Sequence, residues 1–174
     1  MATLYEKFNK LKIDGSQIGF EKGETEGGYY CTPIGAKVIG WDNGIHYCYI
    51  EGLGETVFCV NPENYGDELV YPIANNFEDF LRLILATYSA NTLMQIILWD
   101  KSQYMDFIND PWEVENRENE EVKSVIKTIS DKLNLTPMEN PFEYVKAIQK
   151  DFDYSLIKYT DEYYDTLGID NPDE

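Results

Sequence analysis

Between Ile34 and Leu85 short β-type runs alternate with turn residues and then hand over to one strongly amphipathic stretch. In Ile45-His46-Tyr47-Cys48-Tyr49-Ile50 nearly every position is β-branched, aromatic or otherwise apolar, the composition of a strand buried on both faces. Asp42-Asn43-Gly44 before it is turn chemistry, because Asn and Gly tolerate positive φ. Glu51-Gly52-Leu53-Gly54-Glu55 reads as a hairpin loop, and Thr56 to Val60 as the returning strand. Asn61-Pro62 ends that strand, since proline donates nothing to a ladder. Leu69 to Ile73 forms a further strand. A helix is then predicted from Phe77: an Asx cap at Asn75-Asn76, Glu78 and Asp79 in the first turn, and Phe77, Phe80, Leu81, Ile84 and Leu85 as one apolar stripe. Such a stripe requires a sheet to cover, so the predicted unit is a meander with a helix across one face.

Elements flank this unit on both sides. Thr3-Leu4-Tyr5-Glu6 is a capping box, and Leu4, Phe8 and Leu11 share one face of a short helix. Gly15 to Gly28 mixes glycines with charges; without the Lys-Ser/Thr pair of a phosphate loop, it reads as a turn or loop. Tyr29 to Thr32, closed by Pro33, and Lys37 to Ile39 are two more expected strands. Trp41, directly after Gly40, is expected to anchor an edge of the core. Beyond the central helix, Ser89-Ala90-Asn91 breaks the pattern. Leu93, Ile96 and Ile97, then Met105, Phe107 and Ile108, predict two shorter helices. Glu113 to Glu121 is almost wholly polar, the pattern of an exposed linker or of a helix's first turn. Val122, Val125, Ile126, Ile129 and Leu133 predict the next helix. Asn140-Pro141-Phe142-Glu143 opens another with an Asx cap, proline at the first helical position and glutamate at the third. The predicted fold is α+β: a single domain with a mainly antiparallel, twisted meander sheet packed by helices, plus additional C-terminal helices.

Charge and composition narrow what such a domain does. The 174 residues carry 32 acidic against 14 basic side chains, a net charge of −18 and a pI near 4.3. A surface of this sign repels nucleic-acid phosphates and anionic lipids, so neither nucleic acid nor membrane is an expected partner. No apolar run approaches the roughly 20 residues of a spanning helix, and the first 15 residues have no signal-peptide pattern. Cys31, Cys48 and Cys59 lack the paired spacing of a disulfide framework, which favours a reducing cytoplasm.

Candidate chemistry is sparse. His46 is the one histidine, so a two-histidine metal site within one chain is excluded. No C-x-x-C pair supports a metal at His46, Cys48, Cys59 and Cys31, and no metal or cofactor is expected. His46 and Cys48, at i and i+2 of one strand, stand about 7 Å apart, beyond direct proton transfer. Neither a G-x-S-x-G elbow nor a Ser-His-Asp order is present. Among so many carboxylates no pair singles itself out for glycoside chemistry.

Several of these stretches taken together carry a family resemblance. Val38-Ile39-Gly40-Trp41-Asp42-Asn43-Gly44, the aromatic-rich strand, the glycine-containing hairpin, Val70-Tyr71-Pro72-Ile73-Ala74, and Asn76-Phe77-Glu78-Asp79-Phe80-Leu81-Arg82-Leu83-Ile84 resemble the SUKH superfamily. That group includes fungal cell-wall-assembly regulators and many bacterial immunity proteins. The likeness covers about the first 110 residues, with Gly40, Trp41, Gly44, Phe77, Phe80, Leu81 and Ile84 as its turn and core positions. It divides the chain into a core of residues 1–110 and an acidic helical extension, 111–174, packing on that core. Leu4 to Phe8 only loosely echoes the family's first-helix signature.

The resemblance implies an intracellular binding module with no catalytic residues, not an enzyme, whose bacterial members neutralise a cognate toxin, often a nuclease. The acidity agrees with a basic protein partner, since nuclease clefts are themselves basic. Tyrosines interspersed with acids suit such an interface. Two patches qualify: Tyr163 and Tyr164 with Asp161, Glu162 and Asp165, and the sheet face of Tyr47 and Tyr49 with Asp42, Glu51 and Glu55 at its ends. In each patch the alternative role for the tyrosines is packing, Tyr47 and Tyr49 in the core and Tyr163 and Tyr164 beneath a last helix. Two other function classes stay open: a cytoplasmic regulatory scaffold like the fungal relatives, and a carbohydrate-active enzyme with two carboxylates of separated pKa.

Overall fold

A computed structural model describes residues 2–23 and 28–172. Five strands, β1 (Glu21–Lys22), β2 (Ala36–Asp42), β3 (Ile45–Ile50), β4 (Val57–Val60) and β5 (Val70–Ala74), form one antiparallel sheet in sequential order. Eight helices accompany it among the described residues: α1 (Leu4–Asn9), α2 (Phe77–Thr87), α3 (Ala90–Met94), α4 (Lys101–Ile108), α5 (Pro111–Glu118), α6 (Glu120–Leu133), α7 (Pro141–Asp151) and α8 (Asp161–Leu167). This is the expected α+β domain built on a meander. None of these helices is long and apolar enough to cross a membrane.

Strands β2 to β5 form where the residue pattern places them, and their period of two sorts side chains between two cores. Ile39, Tyr47, Val57, Cys59 and Ile73 join the first, while Cys48, Ile50, Phe58, Val60 and Val70 join the second. Asn43, at φ 53°, turns β2 into β3, so that Trp41 faces His46 and Asp42 faces Ile45.

Helix α2 covers the first face. The Asn76 side chain accepts from the Asp79 N–H at 2.8 Å, and Phe77, Phe80, Leu81 and Ile84 are all buried. Phe20 lies at the centre, its ring centroid 5.6 Å from Phe8, 5.6 Å from Tyr47 and 5.2 Å from Phe80. Only a glycine at 40 leaves space for that ring, because a Cβ there would lie 2.1 Å from Phe20 Cε2.

The C-terminal part is woven into both cores. Val125 and Ile129 of α6, Leu135, and Val145 of α7 belong to the first cluster beside Phe80 and Tyr47. The second face of the sheet is covered by the segment after α7: Phe152 meets Phe58 edge-on at 5.4 Å, and Ile157 and Tyr163 are buried among Cys31, Cys48 and Val60. Residues 111–172 therefore complete the core of residues 2–110.

Four local expectations change. Tyr29 to Thr32 is a turn, not a strand: Thr32 N–H donates to the Tyr29 carbonyl, and Thr32 Oγ1 accepts from the Tyr29 N–H, both at 2.8 Å. Such side-chain bonds compete with a ladder. Glu113 to Glu121 is neither a linker nor a single first turn. It spans most of α5 and the start of α6, with Glu113 buried and accepting from Thr92 Oγ1 at 2.9 Å. Helix α7 starts at Pro141 as expected, but the Asn140 side chain makes no capping bond. The Gly15 to Gly28 stretch opens with a 3-10 turn at Gly15–Ile18 and continues into β1, and its residues 24–27 lie outside the described residues.

Candidate functional site

A hairpin loop and two helix starts converge at the rim of the sheet's first face. The β3–β4 loop turns through Gly52 and Gly54, at φ 83° and 70°, and presents Glu51 and Glu55 beyond the end of Tyr49's strand. At the start of α1 the capping box holds Glu6 in place, its carboxylate accepting from the Thr3 N–H at 2.8 Å. At the start of α2, the Asn76 cap sets Glu78 and Asp79 in the first turn, where carboxylates meet the positive end of the helix dipole.

Between these elements lies an open groove of about 1220 Å³. Tyr5, Tyr49 and Phe77 line its floor, with Tyr5 edge-on to Phe77 at 5.2 Å and its hydroxyl donating to the Ile39 carbonyl. Glu6, Glu51, Glu55, Glu78 and Asp79 rim it, against Lys37 as the one basic residue among its described lining. Burial, with smaller contributions from Tyr5 and Glu55, pushes the Tyr49 phenol up to about 12, so it stays neutral and able to donate. Asp79 is the most tied of the acids, accepting from the Tyr144 hydroxyl at 2.7 Å and facing Arg82 at 3.5 Å.

The groove gathers three of the five residues of one sequence-derived patch. Tyr49, Glu51 and Glu55 line it. Asp42 sits at the opposite end of the β2–β3 hairpin. Tyr47 is fully buried among Phe20 and Phe80, its hydroxyl donating to the Ala90 carbonyl at 3.3 Å, so no partner reaches it in this fold. The other patch divides by depth. Tyr163 is buried and stacked on Tyr159 at 3.8 Å with 9° between the rings, and Tyr164 is half-buried. Asp161, Glu162 and Asp165 stay exposed on the outer side of α8. Its tyrosines thus anchor the helix while its acids face solvent.

Sequence reasoning missed Tyr5, Glu6, Glu78 and Asp79 as groove residues. The latter three were visible only as helix-start acids, and nothing local says that two helix starts meet.

A second cluster of chemistry-bearing groups surrounds His46. The ring stacks on Trp41 at 4.5 Å and faces Tyr29 at 5.8 Å. A carbonyl only accepts, so His46 Nδ1 carries the proton that it donates to Gly44 O at 3.2 Å, leaving Nε2 to accept from Thr32 Oγ1 at 3.0 Å. Burial lowers the histidine's pKa, with the Gly44 bond opposing, and the ring is neutral. Cys48 faces the second core and Cys59 the first, so the two thiols lie on opposite faces of the sheet. Burial raises the thiols of Cys31 and Cys48 to about 11 and about 12. Among the described residues no three His, Cys, Asp or Glu side chains are grouped to hold a metal ion.

Compared with protein-family models, with curated proteins and with solved structures, the chain matches none.

Proposed function

We propose that this chain is a protein-binding module that occupies a basic partner, acting as an immunity protein of the kind its sequence resembles and neutralising a toxin domain. The observation that carries this reading is the acidic groove with its aromatic floor. At about 1220 Å³ and open to solvent, it exceeds the roughly 300–1,000 Å³ of a small-molecule pocket and suits an extended segment or loop of a protein. Glu6, Glu51, Glu55 and Glu78 select a cationic segment, and Tyr5 and Tyr49 supply rigid anchors beneath it. The net charge of −18 adds long-range attraction to a basic cleft. A nuclease whose cationic segment is held in this groove no longer has that segment free to grip its phosphate substrate.

The test uses the wild-type chain and a Glu51→Lys/Glu55→Lys variant as bait in lysate of the native host, at low and at physiological salt. One basic protein retained by the wild type, released by salt and not held by the variant is the expected result. That protein's toxicity on expression, and its suppression by co-expressed wild type, then establishes neutralisation. Equal retention by both baits removes the groove from the interface. Many weakly held proteins, or a partner without toxicity, overturn the immunity reading.

A further inference from the structure

Helix α5 displays an aromatic side chain that the fold does not use. Trp112 is 76% exposed, whereas Trp41 stacks on His46 and Trp99 stacks edge-on to Phe107 at 5.0 Å. The helix start holds Trp112's backbone: Pro111 occupies the first position, and the Asp110 carboxylate accepts from the Trp112 N–H at 2.9 Å. Residues three apart on a helix are surface neighbours, which sets the exposed Glu115 beside the indole. The two cations of this stretch are engaged elsewhere, Lys101 with the Glu143 carboxylate and Arg117 with the Ile108 carbonyl. An exposed indole with carboxylates two residues before it and three residues after it along the helix, and with no cation stacked on it among the described residues, has the chemistry that recognises a guanidinium: the plane stacks on the ring and the N–H fork turns to an acid. A second copy of this chain is a poor occupant, because two bodies of net charge −18 repel.

We infer that Trp112, Asp110 and Glu115 form an arginine-reading contact on a basic protein partner, on a surface that shares no residue with the acidic groove. This contact requires a cationic partner but not the groove. The test is a titration of the full chain with a short peptide of alternating arginine and glycine, and with its lysine counterpart, following the three tryptophan indole N–H signals by NMR. The signals are assigned with Trp→Phe variants. The expected result is a saturable shift of the Trp112 signal alone, with the arginine peptide binding roughly threefold to tenfold tighter than the lysine peptide. Trp112→Ala abolishes the preference and Glu115→Gln weakens it. Trp112 is exposed, so an unchanged melting temperature of Trp112→Ala verifies that the variant is folded. The Glu51→Lys/Glu55→Lys variant retains the shift, which separates this contact from the groove. A Trp112 signal that stays still while the peptide binds, or equal arginine preference in Trp112→Ala, overturns the assignment.

Discussion

Replacing Gly40 by alanine tests how tightly the first core is built around Phe20. Gly40 is not in the left-handed region, so the substitution probes space alone. The new Cβ would lie 2.1, 2.5 and 2.7 Å from Cε2, Cζ and Cδ2 of the Phe20 ring. Carbon pairs settle near 3.5–4.0 Å, so the ring has to retreat by roughly 1.5 Å. It has nowhere to go: Phe8, Tyr47 and Phe80 surround it with centroids 5.2 to 5.6 Å away, and all four rings are fully buried. Overpacking of this kind costs about 1–3 kcal/mol. At this chain length each kcal/mol lowers the melting temperature by about 2–4 °C, so a fall of roughly 2–12 °C is expected. Thermal unfolding followed by near-UV circular dichroism reads it directly. Phe20→Leu removes the obstructing ring at the cost of its own cavity. The double variant should therefore be more stable than the sum of the singles, by a coupling of about 0.5–3 kcal/mol. Strictly additive effects, or a neutral Gly40→Ala, would refute the argument.

Three other outcomes follow from the same geometry. Thr92→Val removes the hydroxyl that joins Ser89 Oγ at 3.1 Å to the buried Glu113 carboxylate at 2.9 Å, and should cost about 1–3 kcal/mol in urea unfolding; an unmoved midpoint would show that the chain of bonds is dispensable. His46 has a folded pKa held below its unfolded value, so the unfolded chain binds the proton more readily. Its contribution is intact above the unfolded pKa of about 6.5 and is lost as pH falls through the lower folded value, so the wild type should lose more stability than His46→Gln between neutral pH and mild acid; parallel pH profiles would contradict this. Tyr163→Ala removes the ring stacked on Tyr159 and should open the segment after α7 to limited proteolysis while raising dye binding to the sheet's second face; an unchanged cleavage pattern would mean that Tyr163 does not hold the segment down.

Where local chemistry and tertiary demand agree, the sequence is legible. Asn76, Glu78 and Asp79 define the start of α2 by themselves, and the alternation from Ile45 to Ile50 already contains two faces. The readings that changed are those decided by a distant partner. Thr32 looks like a strand residue until its hydroxyl is seen joining Tyr29 to His46. Glu113 sits in a run of charges, and only the hydroxyl of Thr92, 21 residues earlier, explains its burial. Tyr47 and Tyr49 are indistinguishable by type and share one sheet face, yet position along the strand decides their roles: Tyr47 meets Phe80 and the Ala90 carbonyl in the core, while Tyr49, nearer the strand end, lines the groove. The groove itself was half legible: its loop acids are next to a strand end in sequence, while Glu6 and Glu78 come from helices that meet only in three dimensions.

The aromatic cover over the second sheet face has a consequence for how the chain is made. Strand β5 ends at Ala74, but Phe152, Ile157 and Tyr163 leave the ribosome some 80 to 90 residues later, a delay of roughly 4–18 s at ordinary elongation rates. Throughout that interval Phe58, Val60 and Val70 lack the side chains that enclose them in the finished protein. The nascent domain thus passes through a stage in which the second sheet face is bare and the first core still awaits Val125, Ile129, Leu135 and Val145, and that bare face is the surface on which a chaperone would act and from which aggregation would start.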